Sequence, residues 1–361
     1  MTHPLPDAIA QAFAGIDARH DDDPADAARA LMALPLEALP ESLQGRAGFL
    51  CMHVCGELLG QWPQALEGIR RLLGGQGLTG ADTDTGTGTG TAIGAAATAG
   101  ADAAAIATTT SASAPPPALW RHAAVCAVMA GDPAQADAWT RALAQQVGAP
   151  LAATEALVSL AVAQVASVHE RAADAGRLAL HALRPLAELQ ARPQAMLDTQ
   201  FGALCNNFAS ALSDRPLDDL DQADLRTALA LLAEHALQFW QRAGTWVHQE
   251  RAHYLEALCS NALGHGTRGE AQAQAGLGLL DRHDGAGEQA VDRAFLSLEL
   301  AVGRRLQGRA DGGALDAARA LAAGWGDDAG LSDWFAERCA RGDTLLARQG
   351  LGPLTPATAL G

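Results

Sequence analysis

Lysine is absent from this chain: all 25 basic residues are arginine. That excludes a phosphate loop ending in Lys-Ser/Thr, and no Gly-x-Ser-x-Gly elbow offers a serine nucleophile in its place. Aromatic residues are scarce, at 4%, with Tyr254 the single tyrosine. Strand formers are therefore few, whereas alanine, the best helix former, is abundant, and the fold class expected is all-α. No apolar run reaches membrane-spanning length without charge, and the start "MTHPLPDAIAQAF" has no basic stretch ahead of an apolar core. A cytoplasmic protein without a membrane partner is expected. The formal net charge of -16, with no arginine stripe to offset it, argues against a nucleic-acid partner. There is no tight cysteine framework either. Cys51, Cys55, Cys126, Cys205, Cys259 and Cys339 all fall inside apolar-periodic runs and read as reduced core residues.

What the chain does contain is a succession of apolar runs of helical period, separated by short breaks rich in Gly, Asp and Pro. The pattern predicts helices over 5–17, 24–33, 42–59, 62–74, 118–130, 133–146, 151–168, 170–190, 194–213, 222–242, 246–264, 268–282, 287–307, 313–323 and 330–348. Connections this short make neighbouring helices antiparallel. The composition changes once, over 76–117, where "TDTGTGTGTAIGAAATAG" and "AAAIATTTSASAPPP" hold almost nothing large and apolar to bury. Such a segment reads as a low-complexity linker, and limited proteolysis is expected to cut there before anywhere else. The segmentation expected is 1–75 (N-terminal helices with a first hairpin), 76–117 (linker), 118–349 (helical array) and 350–361 (tail, "GLGPLTPATALG" from Gly350, without fixed structure).

Three of the breaks share one spacing. Phe49, Gly60 and Ala65, then Trp120, Gly131 and Ala136, then Leu255, Gly266 and Ala271, each set a large residue eleven positions before a glycine and an alanine five after it. Glycine accepts the left-handed conformation that closes a helix, and a small alanine lets the next helix pack close. The pattern resembles the tetratricopeptide repeat, with "WRHAAVCAVMAGDPAQADAW" and "LEALCSNALGHGTRGEAQAQAGLGLL" as the best matches and "LCNNFASAL" similar to the first helix of such a unit. The resemblance covers roughly 42–74 and 118–324. It implies antiparallel hairpins stacked as an α-solenoid, with longer and less regular repeats towards the C-terminus, of the kind found in bacterial regulators and scaffolds.

The resemblance also implies a function. The first helix of each unit lines a concave groove that holds a peptide or helix, which makes the chain a non-enzymatic scaffold for a protein or peptide partner. The alternative is a regulatory module that senses a small ligand or signal peptide. Self-association into a homo-oligomer is compatible with either. Carried over residue by residue, the groove positions are Arg121, Val125 and Val128; Asn206, Ser210 and Ser213; and His253, Glu256, Ser260 and Leu263. Asn207, adjacent to Asn206, is expected to be buried and hydrogen-bonded between repeats.

No catalytic residue, cofactor or metal is expected. In "CMHVC" the histidine points to a different helical face from Cys51 and Cys55, so the three cannot share one zinc. His248 and His253 in "HQERAH" miss the spacing of a zinc-protease helix. The acidic run Asp21-Asp22-Asp23 before Pro24 reads as a solvated helix start, and Arg304 and Arg305 as cations favourable at a helix C-terminus.

Overall fold

The computed structural model describes residues 6–74, 115–190, 195–326 and 328–354. All regular structure among them is helical, and no helix among them is long and apolar enough to cross a membrane. The segment read as a linker lies, apart from its last three residues, outside the described residues. The chain divides into two compact units, Met1–Trp139 and Thr140–Gly361.

The first unit contains α1 (Pro6–Asp17), α2 (Pro24–Ala33), α3 (Glu41–Leu50), α4 (Trp62–Gly74), α5 (Pro117–Met129) and the beginning of α6 (Pro133–Val147). Prolines at the starts of α2 and α5 occupy the first turn, where the missing N–H costs nothing. The helix expected over 42–59 is not uniform. After Leu50 it widens to π geometry over Cys51–Leu58, the segment that contains "CMHVC". α3, α4 and α2 pack against this wide segment, and α5 packs on α3 and α4. So α5, grouped by its sequence with the later array, completes the core of the N-terminal helices.

The second unit contains α7 (Leu151–Ser167), α8 (Ala172–Leu183), the short α9 (Leu186–Gln190), α10 (Ala195–Ser213), α11 (Ala223–Ala243), α12 (Trp246–Ala262), α13 (Gly266–His283), α14 (Ala290–Leu306), α15 (Ala314–Ala322) and α16 (Ala329–Arg348). Pro185 divides the single helix expected over 170–190 into α8 and α9, because it lacks an N–H and its ring displaces the preceding turn. Each long helix packs on the next, α7 on α8, α10 on α11, α12 on α13 and α14 on α15. A second set of contacts links alternate members, α7 to α10, α10 to α12, α12 to α14 and α14 to α16. The apolar core of α12 to α16 centres on Leu280, Leu296, Leu298 and Leu346, all fully buried, and Leu354 closes it from beyond α16. Leu354 also donates its N–H to Asp343 Oδ1 at 2.6 Å, so residues 351–354, expected to belong to an unstructured tail, pack back onto the unit.

The hairpin corners behave as the spacing predicts in two places and differ in the third. Gly60 and Gly131 take φ of 67° and 79°, and Ala65 and Ala136 behind them are buried. At the third corner the left-handed residue is Gly264, φ 81°, and Gly266 is already helical. The packing position five residues on is accordingly Gly269, whose missing side chain makes room for Asn261, while Ala271 is exposed. In "GHG" two glycines flank His265, and spacing alone does not say which closes the helix.

Candidate functional site

The residues carried over as a groove are mostly packed. Val125 is fully buried, and Ser213, Glu256, Ser260 and Leu263 are at most 6% exposed. Arg121, Asn206, Ser210 and His253 are half-buried. The physical reason is the number of neighbours: α12 is flanked by α10, α11, α13 and α14, and none of its residues from Ala252 to Ala262 is exposed. Two polar members of the α12 stripe, Glu256 and His253, are engaged inside the fold. Glu256 accepts from Arg268 Nε at 2.6 Å, and Arg268 also reaches Glu234 at 3.3 Å. His253 Nδ1 lies 2.6 Å from Gln272 Oε1 on α13. Ser213 donates to the Ser210 carbonyl of its own helix at 2.8 Å. Asn207 is exposed, against expectation, because the buried face of α10 is carried by Phe201, Cys205, Phe208 and Leu212 and the helical period turns 207 outward.

The structure instead brings together a polar centre for which no motif gave a sign. Asn261, at the end of α12, donates Nδ2 to the Glu299 carbonyl at 2.9 Å and to Glu299 Oε2 at 2.8 Å on α14. Arg338 of α16 enters from the other side and pairs with Asp214 at 2.5 Å. Its neighbour Arg341 donates to the carbonyls of Ser213 and Arg215, at 2.5 and 2.9 Å, which ties α16 to the end of α10. These groups surround a cavity of about 20 Å³ lined by Leu217, Leu258, Asn261, Glu299, Arg338 and Arg341 among others. Asn261 Oδ1, which faces Gly269 and Gly303, and Arg338 Nε are buried without a protein partner. A space of this size admits one water-sized molecule. Burial pushes the Glu299 carboxyl up to about 7, against the pull of Asn261, Arg338 and Arg341.

Outside this centre lies an open notch of about 240 Å³ lined by Leu217, Leu220, Asp221, Arg226, Ala262, Leu263, Leu345, Arg348 and Gln349. It shares Leu217, Ala262 and Leu345 with the inner cavity, so the two adjoin. Arg226 braces the wall by donating to the carbonyls of Leu220 and Leu263, at 3.2 and 2.8 Å. Arg348 spans the rim to Asp221 at 2.7 Å and to Asp218 at 3.5 Å. Of the carried-over residues only Leu263 lies on this surface. The accessible lining is mainly polar, since Leu220, Leu263 and Leu345 are buried, and the paired Arg348 at the mouth suits a polar or charged group.

The six cysteines are free, and all but the half-buried Cys339 are buried. Burial raises the thiols of Cys51 and Cys205 far above their usual range, which removes thiolate character from both. The chain matches no family model, and no curated protein or solved structure matches it significantly either.

Proposed function

We propose that this chain is a non-enzymatic interaction module of tetratricopeptide-like hairpins, and that it holds a partner peptide at the notch between α11, α12 and α16. The observation that carries this reading is the ladder of alternate contacts, α7 to α10 to α12 to α14 to α16. Stacking the first helix of each hairpin on the first helix of the next is how a helical-repeat array builds a continuous core. The site follows from the same packing: since the α12 stripe is enclosed, recognition moves to the helix ends, where a polar rim of Asp221, Arg348 and Gln349 remains at the notch. A peptide would place a polar or charged group near Arg348, beside the half-buried Leu217.

Selection from a random displayed-peptide library against the folded full chain tests this. Enriched peptides should lose at least tenfold in affinity to the exposed-rim variants Arg348→Glu and Gln349→Glu, with helical circular dichroism unchanged. Selected peptides that ignore both changes but lose affinity on Asn206→Ala with Ser210→Ala would move the site to the outer face of α10. Failure to enrich any peptide would count against the interaction reading itself.

A further inference from the structure

The stretch "DARHDDDP" joins α1 to α2, and of its four aspartates Asp21 and Asp23 do different things. Asp23 caps α2, accepting the N–H of Asp26 at 2.9 Å. Asp21 turns the other way, towards two histidines far apart in sequence. Its carboxylate oxygens lie 3.6 Å from His20 Nε2 and 3.5 Å from His53 Nε2. The two imidazoles and the carboxylate each offer one ligand atom, and the three atoms lie within 4.8 Å of one another.

The outer ring nitrogens are already committed. His20 Nδ1 is 2.6 Å from the Asp17 carbonyl, which only accepts, so this nitrogen carries the proton. His53 Nδ1 is 2.6 Å from Glu57 Oε2 and donates to it in the same way. In its neutral form each imidazole therefore turns an Nε2 lone pair to Asp21, and in its protonated form it donates to that carboxylate. Two lone pairs and an anion converging on one point repel one another, and protons on the rings or one metal ion between them relieve it. A histidine ligand whose second nitrogen donates to a carbonyl or carboxylate is the recurring support of transition-metal sites.

The scaffold fixes this geometry. His53 and Glu57 sit on the π-helical segment Cys51–Leu58, where the wider turn brings residues four apart onto one face, and such segments recur at functional sites. His53 also stacks on Phe49, with ring centroids 5.2 Å apart and planes at 15°. Arg46 of α3 holds Asp17 through Nη2 at 2.7 Å and Nε at 3.0 Å, anchoring the loop that carries His20 and Asp21. The histidine side chains are 12% and 22% exposed and that of Asp21 is 74% exposed, so the ligand atoms are supported from within and reached from solvent.

We infer that His20, Asp21 and His53 form a binding site for a divalent transition metal of the zinc class, with Glu57 and the Asp17 carbonyl as its outer support. Ligands on a tetrahedral zinc with bonds of about 2.0–2.1 Å stand about 3.3 Å apart, so the three ligand atoms, within 4.8 Å of one another here, draw together around the ion. Two imidazoles and one carboxylate leave a fourth position for water. Imidazole donors favour zinc, cobalt, nickel or copper over calcium and magnesium. The buried cysteines take no part, since Cys51 and Cys55 point into the core.

Titration of the chelator-treated full chain with Zn²⁺, and separately with Co²⁺ followed by visible absorption, tests the site. The expected result is one metal per chain, with a cobalt spectrum of nitrogen and oxygen ligands and no thiolate charge-transfer band. His20→Ala with His53→Ala should weaken binding at least a hundredfold. Asp21→Asn alters only an exposed side chain, so it serves as the variant certain to fold, and it should weaken binding at least tenfold. Glu57→Gln should weaken it by about ten- to a hundredfold while retaining the stoichiometry, as loss of an outer-shell partner does. Stoichiometric binding that survives Asp21→Asn and the double histidine change, a thiolate band, or no binding by the unaltered chain would each overturn the inference.

Discussion

Glu250→Gln should raise the stability of the folded chain at pH 8 by on the order of 2–4 kcal/mol and change it little near pH 4. Glu250 lies on α12, fully buried, and neither of its carboxylate oxygens has a hydrogen-bond donor. Burial, and then the neighbouring negative charge of Asp292, raise its pKa to about 9, with Arg251 only partly opposing them. Below about pH 4.5 both folded and unfolded chains hold this proton, and ionisation contributes nothing to the balance. Between about 4.5 and 9 the unfolded chain releases a proton that the folded chain keeps, so each unit of pH subtracts stability, by up to about 1.4 kcal/mol. Above 9 the loss is complete. Glu299 adds to the slope in the lower part of the window, since its carboxyl is raised to about 7. Glutamine keeps the shape, donates to Asp292 and carries no charge. Thermal melts at pH 4, 6 and 8 should therefore show the original chain losing melting temperature relative to the variant as the pH rises. Parallel curves would mean that Glu250 is reached by water and ionised in the folded state.

The buried carboxylates also mark the limit of what could be read from residues alone. Glu250, Glu256, Glu270 and Glu299 look like ordinary surface positions in an alanine-rich helix, yet all four are buried. Helix ends were legible because their causes are local: proline in a first turn, glycine with a left-handed φ at Gly60 and Gly131. Which side of a helix meets solvent depends on how many partners surround it, and ten consecutive residues of α14, Ala294–Gly303, are buried with no stripe to reveal it. Glu270 shows how such a charge is tolerated. Burial would raise its carboxyl, but donors from Arg304 at 3.0 Å and Gln307 at 2.8 Å, with Arg309 at 2.6 Å, hold it below the usual range. Arg304 thus serves a buried carboxylate besides the helix end to which its position assigned it. His20 and His53 were illegible for a different reason: a loop and a π-helical segment, thirty-three residues apart, meet only in the folded unit.

Glycine to alanine inside a helix ordinarily stabilises, by roughly 0.5–1 kcal/mol, because alanine loses less backbone freedom on folding. At Gly278, in α13, that outcome is expected, since an added methyl would meet only the tip of Arg282 at 3.4 Å. The same substitution at Gly176, in α8, should instead cost roughly 3 kcal/mol. A methyl there would lie 2.5 Å from the Leu225 N, 2.7 Å from the Asp224 carbonyl carbon and 2.9 Å from the Leu225 Cα. All three are backbone atoms in the first turn of α11, so no side chain can swing aside, and relief requires α8 and α11 to separate. That contact is also what joins the second helix of the α7–α8 hairpin to the second helix of the next, so the damage should spread beyond one residue. Urea unfolding of the two variants, followed by helical circular dichroism, should shift the midpoint in opposite directions for one and the same chemical change. A neutral Gly176→Ala would show that α8 does not approach the start of α11 this closely, and the stacking of successive hairpins would lose one of its supports.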